Sequence, residues 1–212
     1  MIKLNLLNLI IMLYFGTHNS GTGGSLVWWQ WLLTPIFQLV SQCQEKSIHE
    51  QLEMGVKVFN LQITWYKDEW HFSHGLCVYK EKLNDALDLM ESYARSNNPI
   101  YYQLYLDKNF FLGQNKEKFL DLVKKLSFRH SPEDPVKLLA AWIEGTDDYP
   151  YSSGIKLNLN EHYWTTGWAK LYGKSWIDNL PLPKRHSKKY NKEYKEKYKD
   201  SDVYLMLDFF EL

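Results

Sequence analysis

Short apolar runs alternate along this chain with stretches whose apolar residues recur every three or four positions, and that alternation predicts an α/β fold. The first run, Leu9-Ile10-Ile11-Met12-Leu13-Tyr14-Phe15, stops at Gly16 and reads as a strand buried on both faces. Residues 56–64 alternate: Val56, Val58, Asn60 and Gln62 share one face, with Lys57, Phe59, Leu61 and Ile63 on the other. Two amides on a face that also carries valines predict a polar mouth above an apolar barrel interior. Further strands are expected at 70–73, 100–107, 136–143, 155–159 and 203–210.

Helical spacing links Ile36, Leu39, Val40 and Cys43, and Ser47 with Glu50 forms a capping box that opens a short helix ending before Gly55. Leu83, Leu87, Met90 and Ala94 mark another helix, closed by Asn97-Asn98-Pro99, and Phe119, Leu122, Val123 and Leu126 the next. Residues 184–199 carry eight Lys/Arg against two Glu, with Tyr190, Tyr194 and Tyr198 along one side. That reads as an outer helix packing its tyrosines inward, or as a basic face drawn to an anionic leaflet. The stretch 147–182 does not parse. With no repeat and no linker, the expectation is one domain over 1–212, a (β/α) TIM-type barrel, distorted or incomplete.

Composition trims the functional classes. Lys plus Arg equals Asp plus Glu at 25 each, which argues against a nucleic-acid binder. The aromatic share of 16%, with nine Trp, suits a core, a sugar cleft or a membrane interface. Cys43 and Cys77 make no disulfide framework or metal spacing and favour a reducing compartment. Lys3 followed by an apolar run also fits a secretory leader, but length and the Gly16 stop favour the strand, hence a chain that is cytoplasmic or peripheral at a membrane.

Three segments carry candidate chemistry: Gly16-Thr17-His18-Asn19-Ser20-Gly21-Thr22, Ser73-His74-Gly75, and Leu205-Met206-Leu207-Asp208-Phe209-Phe210. Each candidate group ends or follows a predicted strand, the face on which (β/α) barrels build their sites. Two imidazoles suit a phosphodiester, one as base on an attacking hydroxyl and one as acid on the leaving oxygen. A carboxylate can hold the base in one tautomer. The catalytic candidates are therefore His18, His74 and Asp208; His49, His71, His130, His162 and His186 are read as structural.

The motif around His18 resembles the opening of the phosphatidylinositol-specific phospholipase C X domain. Gln42-x-x-x-x-Ser47-Ile48-x-x-Gln51-Leu52-x-x-Gly55-Val56 and Ser73-His74-Gly75-Leu76 are similar to later motifs of that family, in the same order over roughly residues 9–110. The resemblance implies His18 as general base on the inositol 2-hydroxyl and His74 as general acid toward diacylglycerol. A cyclic inositol phosphate would form and then be opened by water. It also implies that Asp208 pairs with the base, and that a phospholipid or inositol phosphodiester is bound at a peripheral membrane surface.

Two departures qualify it. One branch of the family uses calcium held by an Asn and three acids, and the other an Arg on the second strand. Here Asn19, Asn60, Gln62 and Asp107 line the expected substrate site with one carboxylate, a set that does not support calcium and supplies no cation. No cofactor is expected. The rival readings are a pseudoenzyme that binds a phosphodiester without turnover, and a glycerophosphodiester phosphodiesterase, whose H-R-G and E-x-D motifs the chain does not contain. Trp28, Trp29 and Trp31 are placed either in the core or on a rim that meets lipid.

Overall fold

The computed structural model describes residues 14–33, 41–162, 183–199 and 204–207. Its strands are β1 (Tyr14–Thr17), β2 (Val58–Tyr66), β3 (Glu69–His74), β4 (Cys77–Lys82), β5 (Ile100–Leu106), β6 (Val136–Ile143), β7 (Tyr151–Ser152), β8 (Leu159–His162) and β9 (Tyr204–Leu207). The helices are α1 (Ile48–Glu53), α2 (Leu83–Tyr93), α3 (Lys116–Arg129) and α4 (Pro183–Tyr198), with 3-10 turns at Ser20–Gly23 and Trp28–Leu33. The strands form one nine-stranded sheet in the order β7-β6-β5-β2-β1-β9-β8, and β3 and β4 branch from β2. From β8 to β6 every neighbouring pair on this path is parallel.

Among the described residues the sheet curls without closing. Tyr101 on β5 and Tyr204 on β9 stand three strands apart, about 14 Å along a flat sheet, yet their ring centroids are 6.0 Å apart. The path's two ends are joined by residues 153–158, a span whose reach is at most about 25 Å. Ile155, Leu157 and Leu159 pack on Val58, Leu139 and Met206, forming a small apolar floor inside the curl. The larger core lies outside it, where Phe59, Leu61, Ile63, Leu104 and Leu106 meet Leu87, Met90, Phe119 and Val123. Strand parity thus sorts β2 as expected: apolar residues go out to the helices, and Asn60 and Gln62 stay above the floor.

Several expected elements shift. Residues 155–159 are not one strand: Gly154 sits at φ +75, and only Leu159 onward pairs, with β9. Their alternation records packing on the floor instead. Cys43 is in irregular backbone, where its N–H and that of Gln44 both donate to Thr22 Oγ1. The rest of that expected helix, the run before Tyr14, and the unparsed stretch from 163 lie outside the described residues. The Ser47/Glu50 capping box is present and opens α1, a motif worth about 1 kcal/mol.

The strand expected at 70–73 is antiparallel, not a further barrel strand. Tyr66 pairs with Glu69 across Lys67 and Asp68, both at positive φ, the backbone of a two-residue hairpin turn. Ile63 pairs with Leu106 on one side and with Phe72 on the other, so β3 descends on the side opposite β5. That is the side of β1, which ends at Thr17 opposite Phe59. β3 therefore comes down in line with β1, and the end of one meets the end of the other.

The meeting is tight. A Cβ on Gly21 would lie 2.0 Å from the Phe72 ring, too close for any small adjustment. Gly21→Ala should lower stability by about 1–3 kcal/mol, the usual cost of overpacking, read as a fall in the chemical denaturation midpoint. An unchanged midpoint would mean that β3 does not bear on the loop after β1.

Candidate active site

The loop after β1 is held by buried side chains rather than by a ladder. Thr17 Oγ1 donates to Gln51 Oε1 at 2.7 Å, and Gln51 Nε2 donates to Ser20 O at 2.8 Å and Lys46 O at 2.7 Å. Gln44 Nε2 donates to His18 O and to Leu207 O, both at 2.9 Å. The His18 N–H itself donates to Leu207 O at 3.2 Å. Asn19 is left-handed at φ 45, and its N–H donates to Asn60 Oδ1 at 3.4 Å. A buried, bonded framework of this kind fixes its members, because each broken bond would strand a polar group away from water. Gln51 came from the sequence motif. Gln44 did not, since no local pattern distinguishes it.

His74 ends β3. Its Nδ1 donates to the Ser41 carbonyl at 2.7 Å, with Cys43 Sγ at 3.7 Å. A carbonyl can only accept, so this bond fixes the tautomer and directs proton exchange through Nε2. The His18 and His74 rings lie 6.4 Å apart between centroids, nearly perpendicular at 84°. Two imidazoles at that separation can flank one tetrahedral centre.

Below them the inner face carries two polar rows. Register aligns Asn60 with Gln103, and Gln62 with Tyr105 and then Trp142. Asn60 Nδ2 donates to Gln103 Oε1 at 3.3 Å. Gln62 Nε2 donates to Asp107 Oδ1 at 2.8 Å, and the Gly75 N–H donates to the same oxygen at 3.3 Å. Asp107 is fully buried; its Oδ2 and the Ser73 hydroxyl complete no hydrogen bond. Burial pushes the Asp107 carboxyl up to about 8, and the nearby Glu144 carboxyl adds to the rise.

These residues do not fit calcium, which wants roughly six to eight oxygens, several of them anionic. Asn60 Oδ1 is taken by Asn19, and Asp107, the single carboxyl of the set, has its Oδ1 holding two donors. Among the described residues no group of three or more His, Cys, Asp or Glu could hold a metal ion.

The structure thus brings His18, His74, Asn19, Asn60, Gln62 and Asp107 together. Asp208 lies outside the described residues, as does the Trp31 side chain. Trp28 is 72% exposed and Trp29 half-buried, so neither belongs to the core. His71 is buried and bonded to Tyr79 O, His130 sits between Tyr102 and Glu91, and His49 meets Tyr93 at the surface. Each of the three has its own partner. The side chains of His162 and His186 lie outside the described residues. A pair the sequence did not single out is Phe110 and Phe111, exposed at the rim; in a sequence they look like any apolar pair near a strand end.

Asp107 has a thermodynamic signature. The unfolded chain releases this proton near 3.8, the folded chain only near 8. Between those values the folded state holds the extra proton, so the group makes stability fall as pH rises. Asp107→Asn should therefore gain stability over wild type progressively from pH 4 to 8 and level off above. The gap at pH 8 should be on the order of a few kcal/mol at most. Denaturation midpoints at stepped pH measure it, and a gap independent of pH would contradict the assignment.

No family model matches the sequence, and no curated protein matches it. Among solved structures, a phosphatidylinositol-specific phospholipase C from Staphylococcus aureus carrying pentafluoro-Phe has a TM-score of 0.59 at 17% identity, covering 95% of this chain and 87% of that one. The phosphatidylinositol-specific phospholipase C from Listeria monocytogenes has a TM-score of 0.60 at 13% identity, covering 94% and 89%. A further S. aureus structure, described as modulating that enzyme's membrane binding, has a TM-score of 0.60 at 16% identity. At such identities the likeness is one of architecture: this chain has the mixed α/β, barrel-like fold of the bacterial phosphatidylinositol-specific phospholipases C.

Proposed function

We propose that this protein is a phosphodiesterase acting on a phosphoinositide-type lipid by two-histidine acid–base catalysis. The observation that carries the reading is the convergence of His18 and His74 at one mouth, 6.4 Å apart. The substrate hydroxyl gives its proton to His18 as its oxygen bonds to phosphorus. The P–O bond to the lipid alcohol breaks, and His74 gives its Nε2 proton to the departing oxygen. The products are a cyclic diester and a diacylglycerol-type alcohol. Water then opens the ring with the two roles exchanged. His74 arrives preset for the acid role, since its Nδ1 is bonded to Ser41 O. Asp208 is proposed as the partner that steadies His18; support comes from the preceding residue, Leu207, whose carbonyl accepts the His18 N–H.

The neutral surroundings shape this chemistry. The rows Asn60–Gln103 and Gln62–Tyr105–Trp142 carry no net charge, and Asp107 is held toward its uncharged acid. A neutral Asp107 does not repel a phosphodiester anion, whereas an ionised one would. Transition-state charge is met by hydrogen-bond donors and by the His74 imidazolium. Trp28, exposed, and Trp29, half-buried, follow the loop after β1 and are proposed to meet the lipid surface.

Release of inositol phosphates from phosphatidylinositol vesicles tests the reading. His18→Ala and His74→Ala should each lower turnover by about a hundredfold or more, and wild-type rates in either would end the mechanism. Wild-type protein at the level of His74→Ala, with vesicle binding intact, would favour a binder that has lost turnover, a reading prompted by Gln62 standing where the resemblance expects a cation.

The same donor set makes the activity independent of calcium. Turnover in excess chelator should match that in added calcium. Loss in chelator, restored by calcium, would reveal ligands beyond the four residues.

A further inference from the structure

His74 is the last residue of β3, and the chain returns into β4 through Gly75-Leu76 alone, with His74 paired to Cys77 across the turn. Gly75 occupies left-handed backbone at φ 60, which a residue with a Cβ adopts at a cost. Turn backbone at a surface ordinarily bonds to water. This turn is bonded instead to distant parts of the chain. Asp107 Oδ1 accepts from the Gly75 N–H at 3.3 Å, and the Phe110 N–H donates to Gly75 O at 3.2 Å. Gln30 Nε2 donates to Leu76 O at 2.6 Å, while Gln30 Oε1 accepts from the Val78 N–H at 2.8 Å.

Asp107 is anchored in its turn. Its N–H donates to Ile63 O at 2.9 Å, which carries the parallel ladder of β2 and β5 one residue further, and its Oδ1 accepts from Gln62 Nε2 at 2.8 Å. The sequence motif sets Asp107 among the residues that line the substrate. It is fully buried, however, so a molecule in the mouth does not reach it, and its carboxyl faces Gln62 and Gly75. The bond to Gly75 asks for an acceptor oxygen and not for charge, which a carboxyl held toward its neutral acid still provides.

We infer that Asp107 is a positioning residue for His74: through the Gly75 N–H it fixes the turn that aims the imidazole at the departing oxygen, without touching the substrate. The ring itself is held at Nδ1 by Ser41 O, 2.7 Å away. One bond leaves the ring free to pivot, and the backbone from which it hangs supplies the second constraint. Proton transfer works only within hydrogen-bond reach, so a small displacement of the acid is felt in the rate. Loss of the Gly75 bond should therefore weaken the step that His74 serves and spare the attack that His18 serves. The proposal rests on the phosphodiesterase reading for this kinetic consequence, but not for its effect on the His74 ring.

Two water-soluble esters of inositol 1-phosphate separate the steps: the butyl ester, whose alkoxide needs a proton to leave, and the 4-nitrophenyl ester, whose phenolate does not. Asp107→Leu, which cannot accept from Gly75, should lower kcat on the butyl ester about tenfold or more with KM little changed, and on the nitrophenyl ester less than about threefold. His74→Ala should show the same selectivity more strongly. Asp107→Asn keeps an oxygen in place and should recover most of the butyl-ester rate. If Asp107→Leu does not fold, Gly75→Ala, whose Cβ would meet nothing within 4 Å, disturbs the same turn through its backbone and should give the same pattern. Equal losses on both esters, a change confined to KM, or a wild-type butyl-ester rate in Asp107→Leu would each overturn the assignment. The ring offers a reading independent of turnover. Above neutral pH, nitrogen NMR shifts should show His74 as the Nδ1–H tautomer in wild type and as a mixture in Asp107→Leu, with faster amide exchange at Gly75. An unchanged tautomer and unchanged exchange would overturn the positioning role. The expected changes in a protein that cleaves neither ester would uphold it and remove the phosphodiesterase reading.

Discussion

β2 is nine residues long, and its neighbour β1 reaches only to its second residue. That mismatch leaves most of one edge of β2 without a parallel partner, and unpaired backbone N–H and C=O groups in a covered position are costly. The chain settles the matter by turning at Lys67-Asp68 and sending β3 back along the empty edge. His74 reaches the mouth because of this return. The sterics follow: Gly21 has to be bare where Phe72 lands, and the Ser41 carbonyl has to wait where the imidazole arrives. The candidate site is in this sense a by-product of filling an edge.

Around that meeting point the protein uses amides where charge would be the obvious choice. Gln44, Gln51 and Asn60 each join chain segments with both ends of one side chain or with several bonds from one, and Gln62 and Gln103 add one bond each, to Asp107 and Asn60. An amide donates and accepts at once, so it can be buried without a counter-ion and without the desolvation cost of an ion. Among the described residues the cleft is therefore well braced and carries little charge. In the proposed reaction, binding a phosphodiester there would depend more on geometry than on long-range attraction, and transition-state stabilisation would fall more heavily on the histidines.

Much of this was legible beforehand where the signal is local. The capping box before α1, the apolar spacing of α2 and α3, and the parity that puts Asn60 and Gln62 on the inner face all depend on neighbours a few residues away. The hairpin was not: Lys67-Asp68 lacks the Gly or Asn that usually announces such a turn, so β3 read as another barrel strand. The residues 155–159 misled in the opposite way, alternating because they line a floor and not because they pair. His18 and His74 stood out through their motifs, whereas Gln44 and Phe110 become visible only when loops distant in sequence are brought together. Their roles are properties of contacts, and a chain read in order holds no trace of them.

The unclosed curl has a consequence for how the molecule behaves among its own copies. Long free edges template pairing between molecules. Among the described residues the path ends in β7, of two residues, and β8, of four. Each offers another chain only a few backbone groups to join. The branch ends in β4, of six residues, whose outer side is covered by residues 25–27: the Val27 N–H donates to Val78 O, and the Lys80 N–H to Ser25 O. Short strands at the path's ends and a covered edge on the branch thus guard the open sheet against intermolecular growth, and lengthening β7 or β8 would erode that protection before it disturbed the mouth.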